Sequence, residues 1–224
     1  MTTSMPADAP HNLNDFLRAN GYNTPDAMAR ARAVLEAAGL TNPRKKAMAS
    51  SKLDAAKNAL ASTLLRVCGD ECAALARSMR NERREPVVTS GTTCEVCGGS
   101  NNRRAAIACG MTLRRNKVKH VLVVGGTAPQ QHELTALLGG DGIELEFVDG
   151  TGKSHSQRDA IANMRRADVV VIWGATPLRH AVSNLYTDAP LPGLRVISVP
   201  RRGIEALCGE VIRSFRDTPL STRR

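Results

Sequence analysis

His120-Val-Leu-Val-Val-Gly-Gly126 is the stretch that decides the fold, because it is a short, valine-rich apolar run that ends in two glycines. Such a run is typical of a β-strand that is covered by helices on both faces. Similar runs follow at Ile143–Val148, Val169–Trp173 and Leu194–Val199. Each run precedes a segment with helical periodicity. These helical segments are Gln130–Leu138, Ser156–Arg166, Leu178–Tyr186 and Ile204–Phe215.

The alternation of strands and helices predicts a four-stranded parallel sheet with right-handed crossovers. The expected fold class is therefore α/β, a small Rossmann-like or flavodoxin-like domain that follows an all-α basic region and a cysteine knuckle. The predicted organisation is a disordered tail, a basic helical region, the knuckle with a connecting helix, the α/β domain and a basic tail. Their bounds are 1–11, 12–85, 86–118, 119–217 and 218–224.

Helical periodicity in the basic region predicts several helices. One short helix is expected over Arg44–Met48. A longer helix starts at a capping box formed by Ser51 with Asp54, and its apolar stripe continues to Val67. A further helix is expected over Glu71–Arg83.

Glycine-containing loops follow all four predicted strands, and three of these loops carry a cation. In an open parallel sheet, ligands bind beyond the carboxyl ends of the strands, where glycine and helix N–H groups can approach an anion. We therefore predict an anion site at this edge; the alternative is that these residues only make tight turns and caps. The assigned residues are Gly125, Gly126, Thr127, Gly150, Lys153, Ser154, Gly174, Thr176, Arg179, His180, Arg201 and Arg202.

Two known phosphate-binding motifs are incomplete in this sequence. Gly152-Lys153-Ser154 matches the end of a P-loop, but the first glycine of that motif would fall at Phe147, inside a strand. The turn after the first strand lacks the G-x-G-x-x-G spacing of dinucleotide-binding proteins. The sequence therefore supports neither P-loop ATP hydrolysis nor NAD chemistry.

A possible catalytic set follows the second and third strands. His180 and Ser183 lie one helical turn apart, and Asp149 ends the second strand. A serine beside a histidine can act as a nucleophile with its base. An enzyme acting on a phosphorylated or nucleotide substrate is therefore an alternative. A histidine near a helix start more often binds a ligand or packs, so a non-enzymatic reading comes first.

The cysteines are expected in a reducing compartment, because the chain begins without a secretory signal and has no apolar stretch that could span a membrane. We therefore expect a cytosolic protein, in which clustered cysteines bind metal more often than they form disulfides. Cys94-Glu-Val-Cys97-Gly-Gly is a half-site for zinc, and Cys68 and Cys72 are the best candidates for the other two ligands. The alternative is four reduced, unligated thiols.

Basic charge is concentrated in the first half of the chain. Residues 1–118 hold 18 Lys and Arg against 10 Asp and Glu, whereas residues 119–224 hold 13 against 11. This asymmetry predicts a nucleic-acid partner bound through its phosphates, with a merely solubilising surface as the alternative. Aromatic residues make up only 3%, which disfavours folds that stack bases. The assigned residues are Arg44, Lys45, Lys46, Lys52, Lys57, Arg103 and Arg104.

Short motifs in the α/β half carry a resemblance to a known family. They are Val123-Val124-Gly125-Gly126, Val148-Asp149-Gly150, the strand Asp168–Ile172 before a His- and Ser-bearing helix, and Arg202-Gly203-Ile204 after the last strand. Over roughly residues 119–210 the chain resembles the bacterial "domain of unknown function 2325" family. This resemblance implies a Rossmann-like fold and no established activity. The family's Ser-His order is replaced here by His180-Ala-Val-Ser183.

Three hypotheses about function follow from the sequence. The first is a cytosolic, zinc-stabilised binding or regulatory protein that engages nucleic acid or a nucleotide-like anion. The second is the enzyme described above. The third is a structural or assembly subunit whose basic half docks on an acidic protein partner, and a homo-oligomer is possible.

Overall fold

The computed structural model describes residues 10–139, 142–151, 156–174 and 177–217. The predicted tails at 1–9 and 218–224 lie outside the described residues, as do three residues assigned to the anion site: Lys153, Ser154 and Thr176. The chain forms two compact units, Met1–Ser100 and Asn101–Arg224. None of the helices in the described part of the chain is both long and apolar enough to cross a membrane.

The first unit combines four helices with two small sheets. Its helices are α1 (Leu13–Ala19), α2 (Pro25–Ala37), α3 (Leu53–Thr63) and α4 (Asp70–Ser78), and short 3-10 turns occupy Ser50–Lys52 and Gly91–Thr93. Its strands are β1 (Pro10–Asn12), β2 (Ala47–Ala49), β3 (Leu64–Val67) and β4 (Glu85–Val88). β1 pairs antiparallel with β2, and β3 pairs parallel with β4.

The predicted all-α character of this region is therefore incomplete, because the sequence did not predict either sheet. Pro10 and His11 belong to β1 rather than to the disordered tail. The prediction of a short helix over Arg44–Met48 is wrong, because residues 41–46 form a loop that leads into β2. The helix that begins near Ser51 ends at Thr63, and the rest of its apolar stripe forms β3, because pairing with β4 overrides local periodicity.

The first unit has its own apolar core. Buried side chains from α1, α2 and α3 pack with one residue from each of β2, β3 and β4. The three strand residues are Met48, Leu64 and Val87. Packing against the helices thus supports both small sheets, which two strands alone would stabilise only marginally.

The second unit has the predicted α/β fold with a four-stranded parallel sheet. The strands are β5 (His120–Gly125), β6 (Glu144–Val148), β7 (Val169–Trp173) and β8 (Arg195–Val199). The helices are α5 (Asn101–Arg115), α6 (Ala128–Leu138), α7 (Gln157–Arg166), α8 (His180–Thr187) and α9 (Ile204–Asp217). The strand order is β6-β5-β7-β8, and all neighbours are parallel. The four predicted strands are confirmed to within one residue at each end.

Alternate residues of β5 feed two separate cores, one on each face of the sheet. Val121 and Val123 pack in the cluster that includes α5, α6 and α9. Leu122 and Val124 pack in the cluster that includes α7 and α8. Burial on both faces explains why the strands are almost continuously apolar.

The carboxyl ends of the four strands meet at one edge of this sheet, because all of them run in the same direction. The chain crosses from β6 over β5 to β7, so the strand order reverses between β5 and β7. Gly150, after β6, contacts the loop after β7, since its carbonyl accepts a hydrogen bond from the Arg179 N–H at 2.8 Å. A Cβ atom at Gly150 would lie 2.7 Å from the Pro177 carbonyl oxygen.

We expect the substitution Gly150→Ala to lower the free energy of unfolding of the second unit by about 1–3 kcal/mol, because the added methyl overpacks against main-chain atoms. Gly174→Ala is the matched control, since a Cβ there meets its nearest neighbour, the Val199 carbonyl oxygen, at an ordinary 3.7 Å. Denaturant titrations of both variants measure the effect. Equal stability of the two variants would contradict the close contact at Gly150.

Candidate metal centre

Four cysteines of the first unit come together at the carboxyl ends of β3 and β4. Cys68 directly follows β3, and Cys72 lies in the first turn of α4. Cys94 and Cys97 follow β4 and the 3-10 turn after it. The two strands are parallel and in register up to their last residues. Both cysteine pairs therefore lie at the same end of this small sheet.

The geometry of the cluster suits a metal ion. The four Sγ atoms all lie within 4.8 Å of one another. The Sγ of Cys68 is 3.5 Å from that of Cys72 and 3.6 Å from that of Cys97. A tetrahedral centre with metal–sulfur bonds of about 2.3 Å requires sulfur–sulfur separations of about 3.8 Å. The cluster therefore could hold a metal ion without a large rearrangement.

Local backbone geometry shapes the knuckle around Cys94. The N–H of Cys97 donates to the Cys94 Sγ at 3.4 Å, and the N–H of Gly98 donates to the Cys94 carbonyl at 3.0 Å. Gly98 and Gly99 have φ angles of 60° and 78°, in the left-handed region that favours glycine. The Cys-x-x-Cys-Gly-Gly sequence is thus needed for the turn as well as for the ligands.

A clamp of two arginines holds the knuckle against the small parallel sheet. Glu95, between the two knuckle cysteines, accepts from the Arg66 Nε at 2.9 Å and from the Arg84 guanidinium at 2.7 Å. Its N–H donates to the Arg66 carbonyl at 2.9 Å. Burial raises the pKa of Glu95, but hydrogen bonds from both arginines outweigh it and leave the pKa below its usual value. Arg84 also holds the pKa of Glu82 at about 2.

The sequence did not reveal this clamp. Arg66, Arg84 and Glu95 belong to three segments, and no short-range spacing joins them. Charged residues of this kind are usually solvated, so their pairing becomes visible only when β3 and β4 are placed side by side.

Burial also changes the acidity of the cluster. Three of the four thiols are buried, and Cys68 is half-buried. Burial is the main cause that raises the pKa of Cys68 and of Cys72 above the ordinary value of 9.0. Both thiols are therefore protonated at neutral pH in the metal-free protein. A metal must displace these protons because the thiolate is the ligand.

The remaining two cysteines lie outside the cluster. Cys109 and Cys208 are free thiols, fully buried in the core of the second unit. A hydrogen bond with Cys208, together with burial, raises the pKa of Cys109 well above its usual value. They act as small apolar side chains of α5 and α9.

The predicted anion-site residues are partly brought together in the second unit. The loops after β6 and β7 touch through Gly150 and Arg179. Gly126, after β5, approaches the Trp173 ring so closely that a Cβ there would lie 3.0 Å from it. Arg201, after β8, pairs with Glu210 at 3.4 Å. Five more of the assigned residues lie at the same edge: Gly125, Thr127, Gly174, His180 and Arg202. Proximity alone does not test anion binding, and the anion site therefore stays a prediction.

Two of the candidate catalytic side chains are engaged in local structure. The Ser183 hydroxyl donates to the His180 main-chain carbonyl at 3.0 Å, so its proton points at the backbone of its own helix. The Asp149 carboxylate accepts from the N–H and the hydroxyl of Thr151, at 2.8 and 2.7 Å. The Asp149 bonds form a local turn, and the Ser183 bond lies at the start of α8. Neither gives specific support for a serine nucleophile.

The predicted nucleic-acid residues fall in both units. Arg44, Lys45 and Lys46 lie in the exposed loop before β2. Lys52 donates to the Leu40 carbonyl at 3.5 Å, and Lys57 pairs with Asp54 at 3.6 Å. The other two, Arg103 and Arg104, lie in the first turn of α5 in the second unit.

A scan against protein-family models found no match, and a search of curated proteins found no relative. The resemblance of residues 119–210 to the bacterial family therefore stays a prediction. The fold and the cysteine cluster stand on the structure of this chain alone.

We expect Cys72→Ala to lose the metal, because removing one thiolate opens the coordination shell. The wild-type protein should carry about one metal ion per chain, and the variant close to none. Inductively coupled plasma mass spectrometry after dialysis measures the metal content per chain. Cys208→Ala is the matched control, since it removes a buried thiol that is not part of the cluster. Equal metal content in the two variants would refute the site.

Metal affinity should fall as the pH falls, since protons compete for the thiolates. The raised pKa values of Cys68 and Cys72 mean that at least these two protons are released on binding at neutral pH. The apparent affinity should then fall by at least about 100-fold per pH unit between about pH 8 and pH 6. Competition with a chromophoric chelator measures this slope. A flat profile would contradict binding through these thiolates.

Proposed function

We propose that the protein is a zinc-stabilised nucleic-acid-binding protein, whose first unit holds the phosphate backbone of its partner. The observation that carries this proposal is the exposed basic loop of Arg44, Lys45 and Lys46, beside the metal-supported scaffold. Zinc is the metal that we assign, because four thiolates in a compact, buried group favour a closed tetrahedral site. Such a site leaves no open position for a substrate, so its role is structural.

The basic loop consists of Arg44, Lys45 and Lys46. All three side chains are exposed, and within the described residues none of them has an ion pair or a side-chain hydrogen bond. Phosphate contacts need no base readout, and flexible cations are sufficient for them. The loop therefore offers three uncompensated charges to a polyanion.

The backbone of the basic loop is held in place although its side chains are free. The Arg32 guanidinium, on α2, donates to the carbonyls of Asn42, Pro43 and Lys45 at 3.3, 3.0 and 2.8 Å. The Asn42 side chain accepts from the N–H groups of Arg44 and Lys45, both at 3.1 Å. A fixed backbone lowers the entropy that is lost when the partner binds.

The metal supports the loop through the core of the first unit. Met48, two residues after the loop, packs in the same cluster as Leu64 and Val87 of the metal-bearing strands. Metal binding stabilises the folded state of a site that exists only when these strands pair. We therefore infer that zinc stabilises the scaffold that presents the basic loop.

The second unit adds a possible second contact to this function, an anion bound at its strand-end loops. Its strand-end loops meet at one edge, and two of them touch through Gly150 and Arg179. A nucleotide-like anion, free or as part of the nucleic acid, is the ligand that suits main-chain N–H groups and a guanidinium.

Fluorescence anisotropy with a labelled duplex of about 20 base pairs, and with a single-stranded RNA of equal length, tests the nucleic-acid proposal. We expect binding at low salt that weakens steeply as salt rises. The variant R44A/K45A/K46A should bind more weakly, and its slope of log affinity against log salt should be smaller by about 2 to 3.

The matched control is R158A/R165A/R216A, which removes the same charge from exposed arginines of the second unit. It should retain most of the affinity. Equal losses in both variants would show that only net charge matters, and no binding at low salt would refute the proposal. Circular dichroism and metal content of each variant would confirm that the fold is intact.

A further inference from the structure

The segment between α4 and β4 carries a second group of cations that the proposed function does not use. We call it the arginine patch and define it by Arg77, Met79, Arg80 and Arg83. All four side chains are exposed. Met79, at 51% exposure, is the most exposed large apolar side chain in the described part of the chain. A single exposed apolar side chain is common on protein surfaces, so the case for a binding surface rests on the cations that surround Met79.

The charges of the arginine patch are uncompensated, unlike those of most arginines in the first unit. Five other arginines there have carboxylate partners: Arg18, Arg30, Arg32, Arg66 and Arg84. Among residues 10–139, 142–151, 156–174 and 177–217, neither an ion pair nor a hydrogen bond engages the side chains of Arg77, Arg80 and Arg83. Their guanidinium groups are thus available for an external carboxylate or phosphate.

The backbone of the arginine patch is anchored at both ends. Arg77 lies in the last turn of α4, and the Glu82 N–H donates to the Met79 carbonyl at 3.1 Å to close a turn. The Glu82 carboxylate pairs with Arg84 at 2.7 Å, and Arg84 in turn pairs with Glu95 of the knuckle at 2.7 Å. The patch is therefore preorganised by the same clamp that holds the metal-binding knuckle.

The composition of the arginine patch distinguishes its partner from that of the basic loop. Arginine and methionine are enriched in the cores of protein–protein interfaces, whereas lysine is depleted. The flexible, polarisable methionine side chain adapts to apolar partners. The patch contains no lysine, whereas two of the three residues of the basic loop are lysines. Phosphate contacts need only the cations, whereas Met79 adds an apolar contact that a protein partner can use.

We propose that the arginine patch docks an acidic segment of a partner protein, with the partner's carboxylates on the arginines and one of its apolar side chains on Met79. This proposal does not depend on nucleic-acid binding by the basic loop. Glu95 lies between two cluster cysteines, so we expect loss of the metal to loosen one end of the clamp. Docking should therefore weaken when the metal is removed.

Two labelled peptides test the docking surface on the full-length, metal-loaded protein. One alternates Glu with Leu, and the other carries the same charge with Ser in place of Leu. We expect the Leu peptide to bind at least about 10-fold more tightly than the Ser peptide. R77A/R80A/R83A should weaken both peptides. Met79→Ser should weaken the Leu peptide and leave the Ser peptide unchanged.

The variant of the basic loop, R44A/K45A/K46A, is the matched control, since it removes the same charge from the same unit. It should bind the Leu peptide like the wild type, while its affinity for the duplex falls. The docking proposal is overturned if the two peptides bind equally, if neither binds, or if R77A/R80A/R83A weakens only the duplex. The last result would assign the patch to nucleic acid. Circular dichroism and metal content must match the wild type for each variant.

Discussion

Parallel pairing of β3 with β4 is the interaction on which the first unit depends. The pairing aligns the last residues of the two strands, so that the cysteines after each strand meet. Two short strands are only marginally stable by themselves. Zinc-finger peptides gain about 10–16 kcal/mol from their structural zinc ion, so a zinc ion at this cluster would strongly stabilise the pairing. Strand pairing brings the four cysteines together, and a metal ion bound there would in turn hold the strands together.

The second unit reaches stability by a different route. Its sheet is buried on both faces, and two apolar clusters share the alternate residues of each central strand. Hydrophobic burial on this scale needs no metal, and the two cysteines of this unit are simply packed in the core. One chain thus combines a unit stabilised by burial with a unit in which a cysteine cluster complements a smaller core.

The distribution of carboxylates decides which cations of the first unit are left without an ion pair among the described residues. Glu95 is used twice, by Arg66 and by Arg84, and each of these pairs holds main-chain segments together. The acidic residues are too few to compensate every cation. The cations of the basic loop and of the arginine patch have no carboxylate partner among the described residues, and the two surfaces differ in lysine and methionine content. This difference is the physical basis for assigning nucleic acid to the first surface and an acidic protein segment to the second.

Local patterns in the sequence determined the sheet of the second unit and the identity of the four clustered cysteines. Continuous valine-rich runs need burial on both faces, and Cys-x-x-Cys-Gly-Gly needs a tight turn; both signals lie within a few residues. Leu64–Val67 was misassigned because its apolar residues suit a helix stripe as well as a strand, and only the distant β4 decides between them. The Glu95 clamp and the free or paired state of each arginine were decided by the tertiary structure alone. The reason is that ion pairs and strand pairing join segments far apart in sequence, for which local periodicity carries no signal.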